Sequence, residues 1–239
     1  MAPDARLLDS MIMIALEAGA AAMRLYAGDF AVDAKDDASP VTAADRLAEE
    51  IILKGLASAA PKTPVLAEES ASEGKIPELG REFFLVDPLD GTKEFVERNG
   101  EFTVNIALVR AGRPVLGVVY APAVGRLYAG GLDLGAFRIL TRADERAGER
   151  TAIKARLAPQ TGLVAVASRS HRTAETDAFL KTLNIATFAA SGSSLKFCLI
   201  AEGAADIYPR LGRTMEWDTG AGQAVLEAAG GRVVVHPGG

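Results

Sequence analysis

Two aspartates lie three residues apart behind a short apolar stretch. Residues 83–86 (F-F-L-V) predict a buried strand, and D-P-L-D-G-T at 87–92 follows it directly. Proline and glycine in this segment favour a rigid turn that carries Asp87 and Asp90. Carboxylate and carbonyl oxygens are the ligands that Mg²⁺ prefers. The segment therefore indicates either half of a metal site or a polar turn with two solvated aspartates.

Further acids stand at the ends of other predicted elements. Residues 63–67 (T-P-V-L-A) predict a strand that runs into Glu68, so two neighbouring strands could present acids at one edge. Asp218 begins a predicted helix, where an N-cap stabilised by the helix dipole is the simpler explanation. Asp45 follows Thr42 at the spacing of a capping box, so capping accounts for it from these residues alone.

Residues 1–158 predict an α+β subdomain. A first helix should end near Gly28, a loop should cover 29–40, and Thr42 should open a second helix. Alternating and β-branched runs, separated by glycine-containing turns, predict an antiparallel sheet with strands at 102–109, 113–120, 125–129 and 136–140. The charged residues 141–158 should form a loop or crossover. The apolar residues expected in the core are Leu7, Leu8, Met11, Met13, Ile14, Ala15, Ala18 and Ala22 of the first helix and Leu47, Ile51 and Leu56 of the second.

Residues 159–239 predict an α/β subdomain in which strands and helices alternate. Ligands of such folds gather at the carboxyl ends of strands and the N-termini of helices. The residues S-G-S-S at 191–194 are expected to cap a helix that ends near Ala201. The predicted strands are 163–167, 185–189, 205–208 and 233–235, and the other predicted helices are 173–183 and 218–229.

Composition excludes several classes of protein. The chain has 239 residues, 49% hydrophobic and 24% charged, which is an ordinary globular balance. A net charge of −5 gives no sign of a nucleic-acid or membrane surface. Cys198 is the only cysteine and lies in an apolar run, so we expect a buried structural thiol and neither a disulfide framework nor a zinc–thiolate site. No signal peptide or membrane span is recognised, and we expect a cytoplasmic protein.

Three motifs together resemble the inositol monophosphatase superfamily of Mg²⁺-dependent, lithium-sensitive phosphatases. They are A-E-E-S at 67–70, V-D-P-L-D-G-T at 86–92 and E-W-D-T-G-A-G-Q-A-V-L-E-A-A-G-G at 216–231. The resemblance covers nearly the whole chain and implies a layered α-β-α-β-α sandwich. Gly220 departs from the superfamily, where alanine is commoner, and should weaken its helix mildly.

Within the superfamily, the chain is more similar to the 3′(2′),5′-bisphosphate nucleotidases of the CysQ type. Lys-Glu at 93–94 stands where the inositol phosphatases usually have Thr-Asn. The other motifs that carry this similarity are R-N-G-E-F-T-V-N-I-A-L-V at 98–109, G-V-V-Y-A-P at 117–122, S-R-S-H at 168–171, G-S-S-L-K-F-C at 192–198 and A-E-G-A-A-D-I-Y-P-R at 201–210.

The superfamily resemblance implies a role for each matching residue around two or three Mg²⁺ ions. Glu68, Asp87 and the backbone carbonyl of Leu89 would hold one ion, and Asp87, Asp90 and Asp218 a second. Glu68 and Thr92 would position the attacking water, and Asp45 would support Thr92. The substrate would contact Glu68, Leu89, Asp90, Gly91, Thr92 and Asp218, with backbone N–H groups of Gly91 and Thr92 facing the phosphate.

The nucleotidases further imply His171, Ser193, Lys196 and Arg210 as contacts to the nucleotide and its second phosphate. Ser193 as an N-cap, Lys196 as a surface charge and His171 as a loop residue remain alternatives. The resemblance implies hydrolysis of the 3′-phosphate of adenosine 3′,5′-bisphosphate in sulfate assimilation, and action on the related phosphosulfate is a further expectation. A homodimer and peripheral contact with the inner membrane are left open.

Two other functions remain open at this point. The same metal core would serve an inositol or broad sugar phosphatase, and the fold could serve a nucleotide sensor without catalysis. L-D-G-T at 89–92 also matches the end of the haloacid dehalogenase motif D-x-D-G-T, but Pro88 stands where the nucleophilic aspartate would be. A phosphoaspartate mechanism through that motif is therefore excluded.

Overall fold

A large sheet with helices on both faces forms the centre of the protein. The computed structural model describes residues 3–28, 32–34, 40–141, 147–167 and 173–235. The helices are α1 (Pro3–Tyr26), α2 (Ala43–Ala59), α3 (Glu68–Ser72), α4 (Thr92–Val96), α5 (Ala174–Lys181), α6 (Leu195–Ala201) and α7 (Glu216–Ala228). The strands are β1 (Val32–Ala34), β2 (Pro40–Thr42), β3 (Val65–Ala67), β4 (Glu82–Asp90), β5 (Thr103–Arg110), β6 (Arg113–Ala121), β7 (Arg126–Gly131), β8 (Gly135–Thr141), β9 (Ala147–Ile153), β10 (Leu163–Ala167) and β11 (Ile185–Ala190).

The seven strands β3 to β9 lie in the sheet in the order of the sequence. β3 and β4 are parallel, and each later neighbour pair is antiparallel. Side chains alternate across the sheet, so Phe84 and Val86 face α1 and α2, while Leu85 faces α6 and α7. The predicted layered α/β architecture is confirmed. The division at residue 158 stays a prediction.

The smaller β10–β11 pair is parallel, as the alternation of strands and helices after Gly162 predicts. Next to it, residues 205–208 form a single bridge between Ala165 and Ile207 and not the expected strand. Residues 233–235 are also wrong as a strand, because Val234 and Val235 lie exposed without strand pairing. A short valine run has strand propensity, but the neighbouring strand decides whether it pairs.

Three further sequence expectations are wrong. Residues 147–153 form β9 and not a loop, with Arg150 stacked on the Phe137 ring of β8 and paired with Asp9 of α1. Within 29–40, the described residues of β1 pair with β2 as a short antiparallel hairpin. The sequence favours a loop over 71–81, but its first two residues, Ala71 and Ser72, belong to α3.

Two helical residues expected in the core are exposed. Met13 is 62% exposed, while Met11 is fully buried, because only one face of α1 meets the sheet. In α2, Leu47 is exposed, whereas Ile51 is partly buried against the core and Leu56 is fully buried as expected. Cys198 is buried as expected, and burial raises the pKa of its thiol well above the ordinary value. Within the described residues, no helix is long and apolar enough to cross a membrane.

Candidate active site

The parallel pairing of β3 and β4 brings two of the predicted acids together. Ala67 lies opposite Val86, so Glu68 and Asp87 follow at the same edge of the sheet. Asp87 is almost fully buried, and its Oδ1 accepts from the backbone N–H of Leu89. Burial raises the pKa of Asp87 well above its ordinary range, and so do the charges of Glu68, Asp90 and Asp218 and a hydrogen bond with the Glu68 carboxyl group. The predicted neighbourhood of Glu68 and Asp87 is confirmed.

A β-bulge in β4 sets the direction of the turn that follows Asp87. Asp87 pairs with Asn105, but the next pair is Asp90 with Thr103, so β4 has one extra residue here. Gly91 then takes a left-handed conformation with φ of +95°. A Cβ at Gly91 would clash with Ser193 Oγ. Glycine is therefore required both for the turn and for the close passage of the 191–194 loop.

Asp45 makes hydrogen bonds to both of the residues that the sequence links to it, Thr42 and Thr92. Its Oδ2 accepts from the backbone N–H (2.7 Å) and the Oγ1 (2.6 Å) of Thr42, which caps α2. Its Oδ1 accepts from Thr92 Oγ1 at 3.0 Å. Burial raises the pKa of Asp45, whereas the hydrogen bonds from Thr42 and Thr92 oppose that rise. One buried carboxylate thus connects the start of α2 to the hydroxyl at the start of α4.

Glu49 is a residue of the site region that the sequence reasoning missed. It is 5% exposed, and its carboxylate accepts from the backbone N–H groups of Glu69 and Ser70, each at 2.8 Å, and from Ser70 Oγ at 2.5 Å. These bonds satisfy the free N–H groups in the first turn of α3, which begins with Glu68. The only sign of this role in the sequence is that Glu49 follows Asp45 by one helical turn, on the face of α2 that is buried.

Asp218 comes from the distant helix α7. Its Oδ2 accepts from the backbone N–H of Met215 at 3.0 Å and from Thr214 Oγ1 at 2.9 Å. Met215 is the N-cap of α7, so Asp218 is not the expected N-cap but binds the N-cap N–H from the third helical position. Its charge also contributes to the raised pKa values of Asp87 and Asp90. α7 packs directly on the sheet, and the absence of a Cβ at Gly117 of β6 makes this close contact possible. A Cβ at Gly117 would clash with the Ala221 carbonyl oxygen. Gly220, expected only to weaken α7, faces Leu85 and Ala107 across this tight contact.

Four carboxylates thus share one partly buried region. Burial and the charges of Asp218 and Glu68 raise the pKa of Asp90 to about 6, against the opposing effects of Lys196 and Ser194. Among the described residues, no three acidic, histidine or cysteine side chains converge on one point as a finished metal site. The donor set nevertheless fits Mg²⁺, because it contains only oxygen atoms and its mutual repulsion is what a cation relieves.

The expected substrate contacts differ in their surroundings. Lys196 is 4% exposed, which excludes the surface-charge alternative, and its ammonium group lies 5.4 Å from the centre of the Tyr208 ring. Burial lowers the pKa of Lys196, while the Asp90 carboxylate opposes this shift. Arg210 donates to the carbonyl of Arg213 at 3.0 Å, and its buried Nε has no hydrogen-bond partner among the described residues.

Ser193 and His171 are the two remaining predicted contacts. Ser193 is not an N-cap: its hydroxyl donates toward the carbonyls of Asp90 (2.7 Å) and Glu101 (2.8 Å). The structure therefore places Ser193 beside the acidic turn, with its hydroxyl engaged by backbone. His171 lies outside the described residues.

Comparisons with known proteins agree with this geometry. A model of the inositol monophosphatase family matches residues 5–239. The 3′(2′),5′-bisphosphate nucleotidase CysQ of Escherichia coli is 46% identical over 229 residues, which cover 95% of this chain and 89% of that protein. The corresponding CysQ of Buchnera aphidicola is 42% identical over 236 residues, covering 98% of this chain and 86% of that protein.

A solved structure gives the same result at the level of the fold. The crystal structure of CysQ from Bacteroides thetaiotaomicron, described as a bacterial member of the inositol monophosphatase family, matches with a TM-score of 0.76 at 41% identity. The match covers 93% of this chain and 86% of that one. The chain belongs to the inositol monophosphatase family.

Proposed function

We propose that the protein is a Mg²⁺-dependent phosphatase that removes the 3′-phosphate of adenosine 3′,5′-bisphosphate, giving AMP and phosphate. The observation that carries the proposal is the gathering of Glu68, Asp87, Asp90 and Asp218 beside the buried cation of Lys196. The substrate follows from relatives named 3′(2′),5′-bisphosphate nucleotidases at 42–46% identity.

The acidic residues would hold the metal. Glu68, Asp87 and the Leu89 carbonyl would bind one Mg²⁺, and Asp87, Asp90 and Asp218 a second, with two or three ions in the full site. Bound there, Mg²⁺ would neutralise phosphate charge and stabilise the leaving oxygen. The gathering of four acids in a partly buried region supports this assignment. When no cation is bound, burial and mutual repulsion disfavour the charged forms of these acids.

Thr92 would orient the attacking water together with Glu68. The Thr92 hydroxyl donates its hydrogen bond to Asp45. The lone pairs of the Thr92 oxygen therefore stay available to accept a hydrogen bond from that water. Glu68 follows β3 directly and begins α3, and the Glu49 carboxylate holds this helix start through the backbone N–H of the next residue, Glu69. The protein would thus supply positioning, and the water would attack opposite the leaving oxygen.

The bisphosphate has a second phosphate group that an inositol monophosphate lacks, and binding that group requires additional cationic side chains. Lys196 and Arg210 supply them, with Ser193 and His171 as further proposed contacts, and backbone N–H groups of Gly91 and Thr92 would face the reacting phosphate. Burial lowers the pKa of Lys196, and the negative charges of Asp90, Glu94 and Glu101 oppose this shift by favouring its charged form. A buried lysine keeps its charge more readily once a phosphate is bound beside it.

The proposal extends to the related phosphosulfate as a second nucleotide substrate in sulfur metabolism, and to inhibition by lithium. An inositol or broad sugar phosphatase is the alternative within the family, and a sensor that binds nucleotide without hydrolysis is the alternative outside catalysis. A cytoplasmic location and contact with the inner membrane stay predictions.

The test compares adenosine 3′,5′-bisphosphate with inositol 1-phosphate by kcat/KM, with Mg²⁺ and with excess chelator. We expect Mg²⁺-dependent phosphate release, a clear preference for the bisphosphate, and 5′-AMP as the nucleotide product. Asp90→Asn should lower turnover by several orders of magnitude, and Asp133→Asn, on the exposed β7–β8 turn, should not. Preference for the inositol ester would overturn the substrate assignment, and nucleotide binding without hydrolysis would indicate the sensor.

A further inference from the structure

One buried hydroxyl connects the two halves of the acidic cluster. Ser194 is 2% exposed, and its Oγ lies 3.1 Å from Asp90 Oδ2 and 2.8 Å from the backbone carbonyl of Asp218. Asp90 ends β4 and Asp218 lies in the first turn of α7, 128 positions further along the chain.

The Ser194 hydroxyl is not used to cap its own helix. Ser194 occupies the N-cap position of α6, but its side chain makes no capping bond, contrary to the expectation from the sequence. A serine hydroxyl has one proton to donate and two lone pairs. Both the Asp90 carboxylate and the Asp218 carbonyl lie within hydrogen-bond distance of this hydroxyl as acceptors.

Asn105 holds the hydroxyl from the other side. Its Nδ2 donates to Ser194 Oγ at 3.0 Å and lies 3.5 Å from Asp90 Oδ2. Asn105 is 1% exposed and pairs with Asp87 across the sheet, and its Oδ1 has no hydrogen-bond partner among the described residues. A buried amide oxygen without a partner lowers stability, so its place here favours a role in the site over a role in packing.

The adjacent serine fixes the same aspartate through its main chain. Ser193 donates to the backbone carbonyl of Asp90 and has a left-handed backbone with φ of +49°, an uncommon conformation for a non-glycine residue. The two consecutive serines therefore hold Asp90 at two points, one on the main chain and one on the carboxylate.

We propose that Ser194 is a positioning residue that fixes the separation of Asp90 and Asp218, and that Asn105 orients it. The inference rests on the proposed function, in which these two aspartates bind the same Mg²⁺. Ligands on separate elements bind one ion well only when their spacing is fixed, and hydrogen-bonded neighbours supply that constraint. Ser194 thus acts through the metal ligands and does not contact the reacting phosphate.

The experiment measures Mg²⁺ binding by calorimetry in wild type, Ser194→Ala and Ser194→Thr, with Ser191→Ala as the matched control in the same loop. Ser191 is also buried, but its hydroxyl has only a 3.5 Å contact with the neighbouring Gly192 carbonyl. We expect Ser194→Ala to weaken Mg²⁺ binding by roughly 10–100-fold, the usual effect of losing a hydrogen bond to a metal ligand. Ser194→Thr, which keeps the hydroxyl, should recover most of the affinity, and Ser191→Ala should match wild type.

Two further measurements separate positioning from folding. In an Asp90→Asn background, Ser194→Ala should cost little additional Mg²⁺ affinity, since the bonded carboxylate is already gone. Ser194→Cys keeps nearly the same volume with a weak donor and should weaken Mg²⁺ binding even if the alanine variant does not fold. Unchanged Mg²⁺ affinity in a folded Ser194→Ala or Ser194→Cys protein would overturn the proposal, as would a fall in melting temperature alone.

The outcome is distinguishable from failure of the proposed function. A wild type that binds Mg²⁺ but releases no phosphate from the bisphosphate would overturn the proposed function, and calorimetry would still decide the role of Ser194. A wild type that binds no Mg²⁺ would overturn both.

Discussion

At the scale of single residues, Asp45 shows how one carboxylate connects a helix start to a residue of the candidate site. One of its oxygens accepts two hydrogen bonds from Thr42 at the start of α2. The other oxygen accepts a hydrogen bond from the Thr92 hydroxyl. Replacing Asp45 would therefore damage the helix and the site at once. Thr92 is the cleaner residue to change, because its side chain is less involved in the fold.

Thr92→Ala should lower kcat by about 10²–10⁴-fold, the usual range for a group that helps transfer a proton. Thr92→Ser keeps the hydroxyl and should retain most of the activity. Steady-state kinetics with the bisphosphate measure both variants, and thermal melting checks that they are folded. Equal activity of the alanine and serine variants would contradict a role for the hydroxyl in orienting water.

The acidic residues could be predicted from the sequence, but their supports could not. Asp87, Asp90 and Glu68 stand at ends of recognisable strands, and the family motifs add Asp218 and Lys196. The contacts of Glu49 and Ser194 link positions 20 or more residues apart and depend on how α2, α3 and α7 meet. Local patterns contain no information about such distant pairings.

At the scale of elements, α3 depends on a carboxylate from α2. Glu49→Gln replaces an acceptor of three hydrogen bonds by an amide whose NH₂ group would face N–H donors. We expect a loss of about 1.5–3 kcal/mol in the free energy of unfolding. Displacement of Glu68 should also lower kcat and Mg²⁺ affinity by roughly 10–100-fold.

Denaturant unfolding and Mg²⁺ titration of activity measure these two effects. Ser72→Ala is the matched control, because Ser72 donates to the Glu69 carbonyl at the other end of the same helix. Full activity and unchanged Mg²⁺ dependence in Glu49→Gln would show that the bonds to α3 do not position Glu68.

The packing of α7 on the sheet is a second feature at this scale. Gly117→Ala should lower the free energy of unfolding by about 1–3 kcal/mol, because the added Cβ would clash with the backbone of α7. Activity should also fall, since α7 carries Asp218. Gly80→Ala, whose Cβ would meet only the Glu82 carbonyl at 4.0 Å, should be nearly neutral in the same denaturation experiment. Equal stability of the two variants would contradict the tight contact.

The elements predicted wrongly share a physical reason. β9 contains Gly148, Glu149, Arg150 and Thr151 in succession, so its composition resembles that of a loop. Its pairing with β8 and the stacking of Arg150 on Phe137 decide the outcome. Met13 was misplaced for a related reason: apolar character alone does not say which side of α1 meets the sheet.

At the scale of the whole molecule, we expect the acidic cluster to make stability depend on both pH and metal. The pKa of Asp90 is raised to about 6, and burial and neighbouring carboxylates also raise the pKa of Asp87 well above its ordinary value. The folded protein therefore binds these protons more tightly than the unfolded chain. The contribution of Asp90 to stability is present at low pH and is lost as the pH rises from about 4 through about 6, and the contribution of Asp87 is likewise lost as the pH rises through its raised pKa.

Mg²⁺ should reverse this loss, since it competes with protons for the same oxygens. We expect the Mg²⁺-induced rise in melting temperature to be larger at pH 7.5 than at pH 5.0. Thermal melts at both pH values, with saturating Mg²⁺ or with chelator, make the comparison. Equal rises at the two pH values would contradict a site formed by raised-pKa carboxylates.

The most direct test of the account is a crystal structure with AMP, phosphate and Mn²⁺, whose anomalous signal reports the position of the metal. The account predicts that Glu68, Asp87, the Leu89 carbonyl, Asp90 and Asp218 surround the metal positions. The phosphate should lie against Gly91 and Thr92, with the nucleotide toward Lys196 and Arg210. Metal bound elsewhere, or a nucleotide that avoids Lys196 and Arg210, would contradict it.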